Sequence, residues 1–132
     1  MIIAIDFDGT CVKHAYPAVG ADVGAVPVLR ALGAAGHQLS LYTMRSGQHL
    51  KDAEIWFAEN NISLGGVNSN PEQHTWSLSP KVYAQLYIDD AALGVPLTRV
   101  PGERPWVDWF QVSVWLVAQN VLPAHYARRV EG

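Results

Sequence analysis

Three short apolar runs, Ile2 to Ile5, Leu39 to Tyr42 and Leu86 to Ile88, each stop at polar residues, and this feature constrains the fold more than any other. A run that is apolar at successive positions must be covered on both faces, which in a small domain means the interior of a parallel sheet. Between the first two runs lie a loop, Val12 to Ala21, and then Asp22, which offers a cap to a helix carrying Val23, Val26, Leu29, Leu32 and Ala35, with Gly33 and Gly36 at its exit. Past the second run, Ser46 is a cap for a helix through Glu59 whose apolar side is Leu50, Ala53, Ile55, Trp56 and Phe57. Ile62 to Val67 reads as a further strand, Asn68 to Pro80 as a loop, and the stretch after Ile88 as an irregular connection punctuated by Gly94, Pro96, Pro101 and Pro105. Trp106 to Val121 has a helical pattern, apolar around so wide an arc that burial against more than one surface is expected. Strands alternating with helices at this spacing predict a Rossmann-like, three-layer α/β/α domain with a mainly parallel sheet, spanning 1–132.

The 132 residues suit one compact domain, and 49% hydrophobic residues suffice for one core. A net charge of −3 supplies no global basic field, so tight non-specific nucleic-acid binding is not expected. One cysteine, Cys11, excludes an internal disulfide framework and fits a reducing compartment. The longest apolar region, Val112 to Val121, is interrupted by Ser113, Gln119 and Asn120 and falls short of the roughly 20 residues of a membrane span. With no signal-peptide pattern at Met1 to Asp6, the expectation is a cytoplasmic protein without membrane partners.

The chemistry-bearing residues follow the apolar runs: Asp6 and Asp8, then Thr43, then Lys81, then Asp89 and Asp90. In an open α/β sheet the C-terminal strand ends border the ligand crevice, so clusters far apart in sequence can converge there. Four carboxylates at close range repel one another unless a cation joins them. Magnesium suits them, because it takes oxygen ligands from carboxylates, carbonyls and substrate phosphate. Asp6, the main-chain carbonyl of Asp8, and Asp89-Asp90 are the metal-ligand candidates. Phosphoryl transfer asks for an in-line nucleophile, charge neutralisation and a proton for the leaving group. Asp6 is the candidate nucleophile and Asp8 the general acid and base. Thr43 and Lys81 are the partners of the phosphoryl oxygens.

These motifs resemble the haloacid dehalogenase-like superfamily of aspartate-nucleophile phosphatases. DFDGT is similar to its first motif, LYT to the second, Lys81 to the third and YIDD to the acidic fourth, in the family's order across residues 2 to 90. The resemblance implies a magnesium-dependent phosphomonoesterase working through an aspartyl-phosphate. It makes Asp90 the direct magnesium ligand and Asp89 its partner, two roles that the residues alone do not separate. Family members acting on carbon–halogen bonds usually lack the second aspartate, so Asp8 favours phosphoryl chemistry. The short insertions imply a capless member, whose open site either accepts a large substrate, such as a protein or nucleic-acid end, or is roofed by a neighbouring subunit; the expected partner is a phosphorylated substrate, a small molecule or a nucleic-acid end. Thr43-Met44-Arg45 resembles the second motif of polynucleotide 3'-phosphatases, which adds Met44 and Arg45 to the substrate-binding candidates; a surface salt bridge accounts for Arg45 equally well. A receiver-like phospho-accepting module shares the residue types, but places its acidic pair near the first strand and its acceptor after a middle one.

His14 and Tyr16 are read as loop residues without a chemical task. The spacing of the remaining histidines builds no zinc site. Trp106, Trp109 and Trp115 read as core, with a homodimer contact as the alternative.

Overall fold

In its computed structural model the chain is described over residues 1–126; positions 127–132 of the expected domain lie outside the described residues. The four-stranded sheet consists of β1 (Ile2–Ile5), β2 (Gln38–Leu41), β3 (Gly66–Val67) and β4 (Leu86–Ile88), in the order β3-β2-β1-β4 and parallel throughout. Helices α1 (Ala25–Ala34) and α2 (Gly47–Glu59) make the crossovers from β1 to β2 and from β2 to β3. A two-stranded antiparallel ribbon, β5 (Leu97–Thr98) with β6 (Trp106–Val107), precedes α3 (Trp109–Ala118). This is the Rossmann-like α/β architecture expected, small and without a cap domain among the described residues.

Register explains the two faces of the sheet. Ile3 pairs with Leu39 and Leu86, and Ile5 with Leu41 and Ile88, so these bulky side chains share one face, where they join the core of α1, α2 and α3. Phe7, just past β1, meets Trp56 and Phe57 of α2. The other face carries the small residues Ala4, Ser40 and Gly66 beside Tyr87. Segment 68–85 lies over it, with the Tyr87 hydroxyl donating to the Val82 carbonyl and with Asn70, Gln73 and Val82 buried. The third layer is therefore this irregular segment with its single 3-10 turn, Gln73–Thr75.

Several element boundaries differ from expectation. Asp22 does cap α1, but from outside it, its Oδ1 accepting from the amides of Gly24 and Ala25. Ser46 sits at the cap position of α2 without a side-chain cap bond. The strand expected over 62–67 shrinks to two residues. The helix expected from Trp106 starts at Trp109, because Asp108 turns the chain there and accepts from the Gln111 amide. That helix is also not buried all round: Phe110, Val114 and Trp115 are about half exposed, while Trp109, Val112 and Leu116 face the core. No helix among the described residues is long and apolar enough to cross a membrane.

Candidate active site

The chain runs from β1 to β2 and β3 on one side and returns to place β4 on the other. A topological switch point thus lies at the C-terminal ends of β1 and β4, where doubly wound sheets open a crevice. Asp6 follows β1, and Asp89 and Asp90 follow β4. Oxygens of all three lie within 4.8 Å of one another, so acids about eighty positions apart in the chain meet as expected and could together hold a metal ion.

Thr10 joins the two strand ends. Its buried hydroxyl donates to Asp6 Oδ2 at 2.9 Å and accepts from the Asp90 amide at 3.0 Å; Asp90 Oδ1 lies farther off, at 3.4 Å. Asp89 is fixed separately, Oδ2 accepting from the Tyr42 hydroxyl at 2.8 Å and Oδ1 from the Ala91 amide. Burial, the adjoining Asp90 and the charge of Asp89, in that order, push the Asp6 carboxyl up to about 8. Burial and Asp89 also move the Tyr42 phenol upward. Without a cation the cluster therefore holds a proton that a divalent ion can replace. The donors are hard oxygens, which fit a hard cation and not a soft metal.

Asp8 stands apart from these three acids. Its carboxylate lies outside the three-acid cluster and takes a fork from Arg45, Nη2 to Oδ1 at 2.7 Å and Nε to Oδ2 at 2.8 Å. Its main-chain carbonyl, the group expected to face a metal, accepts no hydrogen bond among the described residues. Arg45 corrects two expectations at once. It is 3% exposed, and its remaining N–H groups donate to the carbonyls of Pro17, Ala18 and His49. The guanidinium also lies against Phe7 and Tyr16. With all five donors used inside the protein, Arg45 is neither a surface pair nor a phosphate ligand.

Thr43 stands where its hydroxyl oxygen accepts the Arg45 amide at 3.2 Å, leaving the hydroxyl proton free to donate. The Met44 side chain is fully exposed and touches nothing that would orient a substrate, so only its amide remains as a candidate contact. Lys81 is not drawn into the acid cluster: its ammonium lies 5.6 Å from the Tyr87 ring centroid and pairs with no carboxylate among the described residues.

Sequence reasoning missed Thr10 and Tyr42, and it dismissed His14, whose Nε2 is 3.0 Å from Asp90 Oδ2. It also missed how the C-terminal third supports the DGT turn. Trp109 Nε1 donates to the Thr10 carbonyl at 2.6 Å, and the Val107 amide to that of Gly9 at 3.0 Å. A separate groove of about 440 Å³ runs along the open edge of β4 against α3, and its lining includes none of the acids.

No protein-family model and no curated protein matches the chain. A solved structure, that of a conserved protein coded by a locus of Bacteroides thetaiotaomicron, is similar at 33% identity with a TM-score of 0.72; the match covers 91% of this chain and 90% of that one.

Proposed function

We propose that this chain, which belongs to the same family as the conserved Bacteroides protein, is a magnesium-dependent phosphomonoesterase of the haloacid dehalogenase-like kind. The observation that carries the reading is the meeting of Asp6, Asp89 and Asp90 at the switch point, with Asp6 alone at the end of an interior strand. Asp6, Asp89 and Asp90, with the Asp8 carbonyl, would hold the cation, which supplies positive charge to the phosphoryl oxygens when bound.

An Asp6 oxygen attacks phosphorus as the bond to the leaving oxygen breaks, and that oxygen takes a proton from Asp8, which must enter this step in its protonated form while its oxygens still accept from Arg45. Water, giving a proton back to Asp8, then attacks the aspartyl-phosphate and releases inorganic phosphate. Arg45 keeps the Asp8 carboxylate in one place through both steps. The Thr43 hydroxyl donates to a phosphoryl oxygen, and Lys81, which has no carboxylate partner, pairs with the substrate's charge.

A small phosphorylated molecule is favoured over a nucleic-acid end. The arginine that suggested the latter has no donor left, and the net charge of −3 repels a polyanion. A receiver-like module is disfavoured by chain order, since the acceptor acid here follows the first strand.

Hydrolysis of p-nitrophenyl phosphate by the purified protein tests the reading. Activity should require magnesium, be lost with chelator, and drop to background in Asp6→Asn; turnover persisting in that variant removes Asp6 as the nucleophile. Beryllofluoride with magnesium should mark Asp6, and an adduct on any other side chain contradicts the assignment.

A further inference from the structure

His14 takes no part in the chemistry above, yet it lies against the acid cluster. Its Nε2 is 3.0 Å from Asp90 Oδ2, and the two side chains are only 15% and 18% exposed. Gly9 makes this approach possible: a Cβ there would fall 2.0 Å from His14 Nε2 and 2.5 Å from Asp90 Oδ2, wedging the pair apart. The segment that presents His14 is itself anchored. The Lys13 amide donates to the Ala21 carbonyl, Lys13 Nζ lies 3.1 Å from Glu103, and Arg45 holds the carbonyls of Pro17 and Ala18.

Asp90 has few other restraints on its carboxylate. The Thr10 hydroxyl has one proton, and the shorter bond to Asp6, 2.9 Å against 3.4 Å, claims it. The Thr10 contact to the Asp90 amide fixes backbone but not side-chain rotation. Apart from the neighbouring acid Asp6, His14 is therefore the principal side-chain partner of the Asp90 carboxylate, and the one that remains when a cation displaces the proton between the acids.

We infer that His14 is a positioning residue for the cation site, holding the Asp90 carboxylate in the orientation in which it meets the ion; this rests on the cation-binding reading given above. Carboxylates that ligate metals are themselves held by outer hydrogen bonds, and losing such a partner costs about 10–100-fold in affinity. His14 acts through Asp90 and does not contact the ion, so the loss is the same for magnesium, which shuns nitrogen ligands, and for manganese, which accepts them.

Magnesium and manganese affinities are measured by calorimetry for the wild type, His14→Ala, His14→Gln and His14→Asn, with thermal unfolding in chelator as the fold control. His14→Ala should bind both ions roughly 10–100-fold more weakly. His14→Gln, whose amide can still donate to Asp90, should recover most of that loss, and the shorter His14→Asn should not. A folded His14→Ala with wild-type affinity overturns the inference, and so does a loss confined to manganese, which would make His14 a ligand. Should His14→Ala fail to fold, equal affinities in the Gln and Asn variants overturn it. Wild-type protein that binds neither ion removes the cation-site reading itself, an outcome distinct from a His14 variant that binds normally.

Discussion

Replacing Arg45 with alanine should destabilise the protein by about 3–4 kcal/mol, more than any other single change among the site residues. Removing one partner of a buried charge pair generally costs ~3–5 kcal/mol, because the other charge is stranded. Here the stranded Asp8 side chain is 19% exposed and can reach water, which places the charge contribution near the lower end. The carbonyls of Pro17, Ala18 and His49 also lose their donors, raising the figure slightly. Asp8→Asn strands the buried guanidinium and sets an amide NH2 against one of its donors, so it should cost about 3 kcal/mol, slightly less than Arg45→Ala because the three loop carbonyls keep their donors. Urea unfolding with chelator present, on both single variants and the double variant, closes the cycle. The double variant should be more stable than the sum of the singles implies, by at least ~1.5 kcal/mol. An Arg45→Ala cost under ~1 kcal/mol, or additivity within ~0.5 kcal/mol, would refute the reasoning that the fork and the loop carbonyls depend on one guanidinium.

Further outcomes follow from the same geometry. Because the folded state raises the Asp6 carboxyl from 3.8 to about 8, it keeps a proton that the unfolded chain releases. In chelator, stability should therefore be full below about pH 4 and decline as pH rises through 8; a urea midpoint that climbs over that range contradicts the shared proton. Calorimetry in two buffers of different ionisation enthalpy should show proton release on magnesium binding at neutral pH. Trp109→Phe removes the donor to the Thr10 carbonyl and should cost ~1–3 kcal/mol in urea unfolding, with weaker manganese binding as its second effect. Gly9→Ala, at φ +79 and against His14 and Asp90, should weaken cation binding more than it lowers thermal stability; unchanged manganese affinity would show that the turn tolerates a methyl group.

The parts of the fold legible in the sequence were those set by unbroken burial. β1 and β2 are interior strands, and β4, though at the edge of the sheet, is an unbroken apolar run; all three end at the residues that enter the site. The edge strand β3 has only two residues, and the β5–β6 ribbon is equally short and lies among prolines, so neither leaves a periodic signal. Trp106 and Val107 looked helical because an aromatic and a β-branched residue continue the apolar pattern of α3; pairing with Leu97 and Thr98 overrode it. Asp6, Asp89 and Asp90 could be anticipated because they sit directly at strand ends. His14 and Tyr42 could not, because their partners Asp90 and Asp89 lie 76 and 47 positions away and nothing local marks the pairing. Arg45 was misjudged for a similar reason: arginine is usually solvated, and only the tertiary arrangement supplies five internal acceptors for it.

The order β3-β2-β1-β4 also has a consequence for biosynthesis. The central strand is made first, and its neighbour bearing the other two acids is made fourth. A nascent chain emerging from the ribosome carries Asp6 without Asp89 and Asp90 until position 90 has cleared the exit tunnel. Electrostatic crowding is thus deferred until most of the apolar interior is available to offset it. A circular permutant opened between β3 and β4, with Asp89 and Asp90 synthesised near the start, would reverse that sequence of events while leaving the finished sheet unchanged.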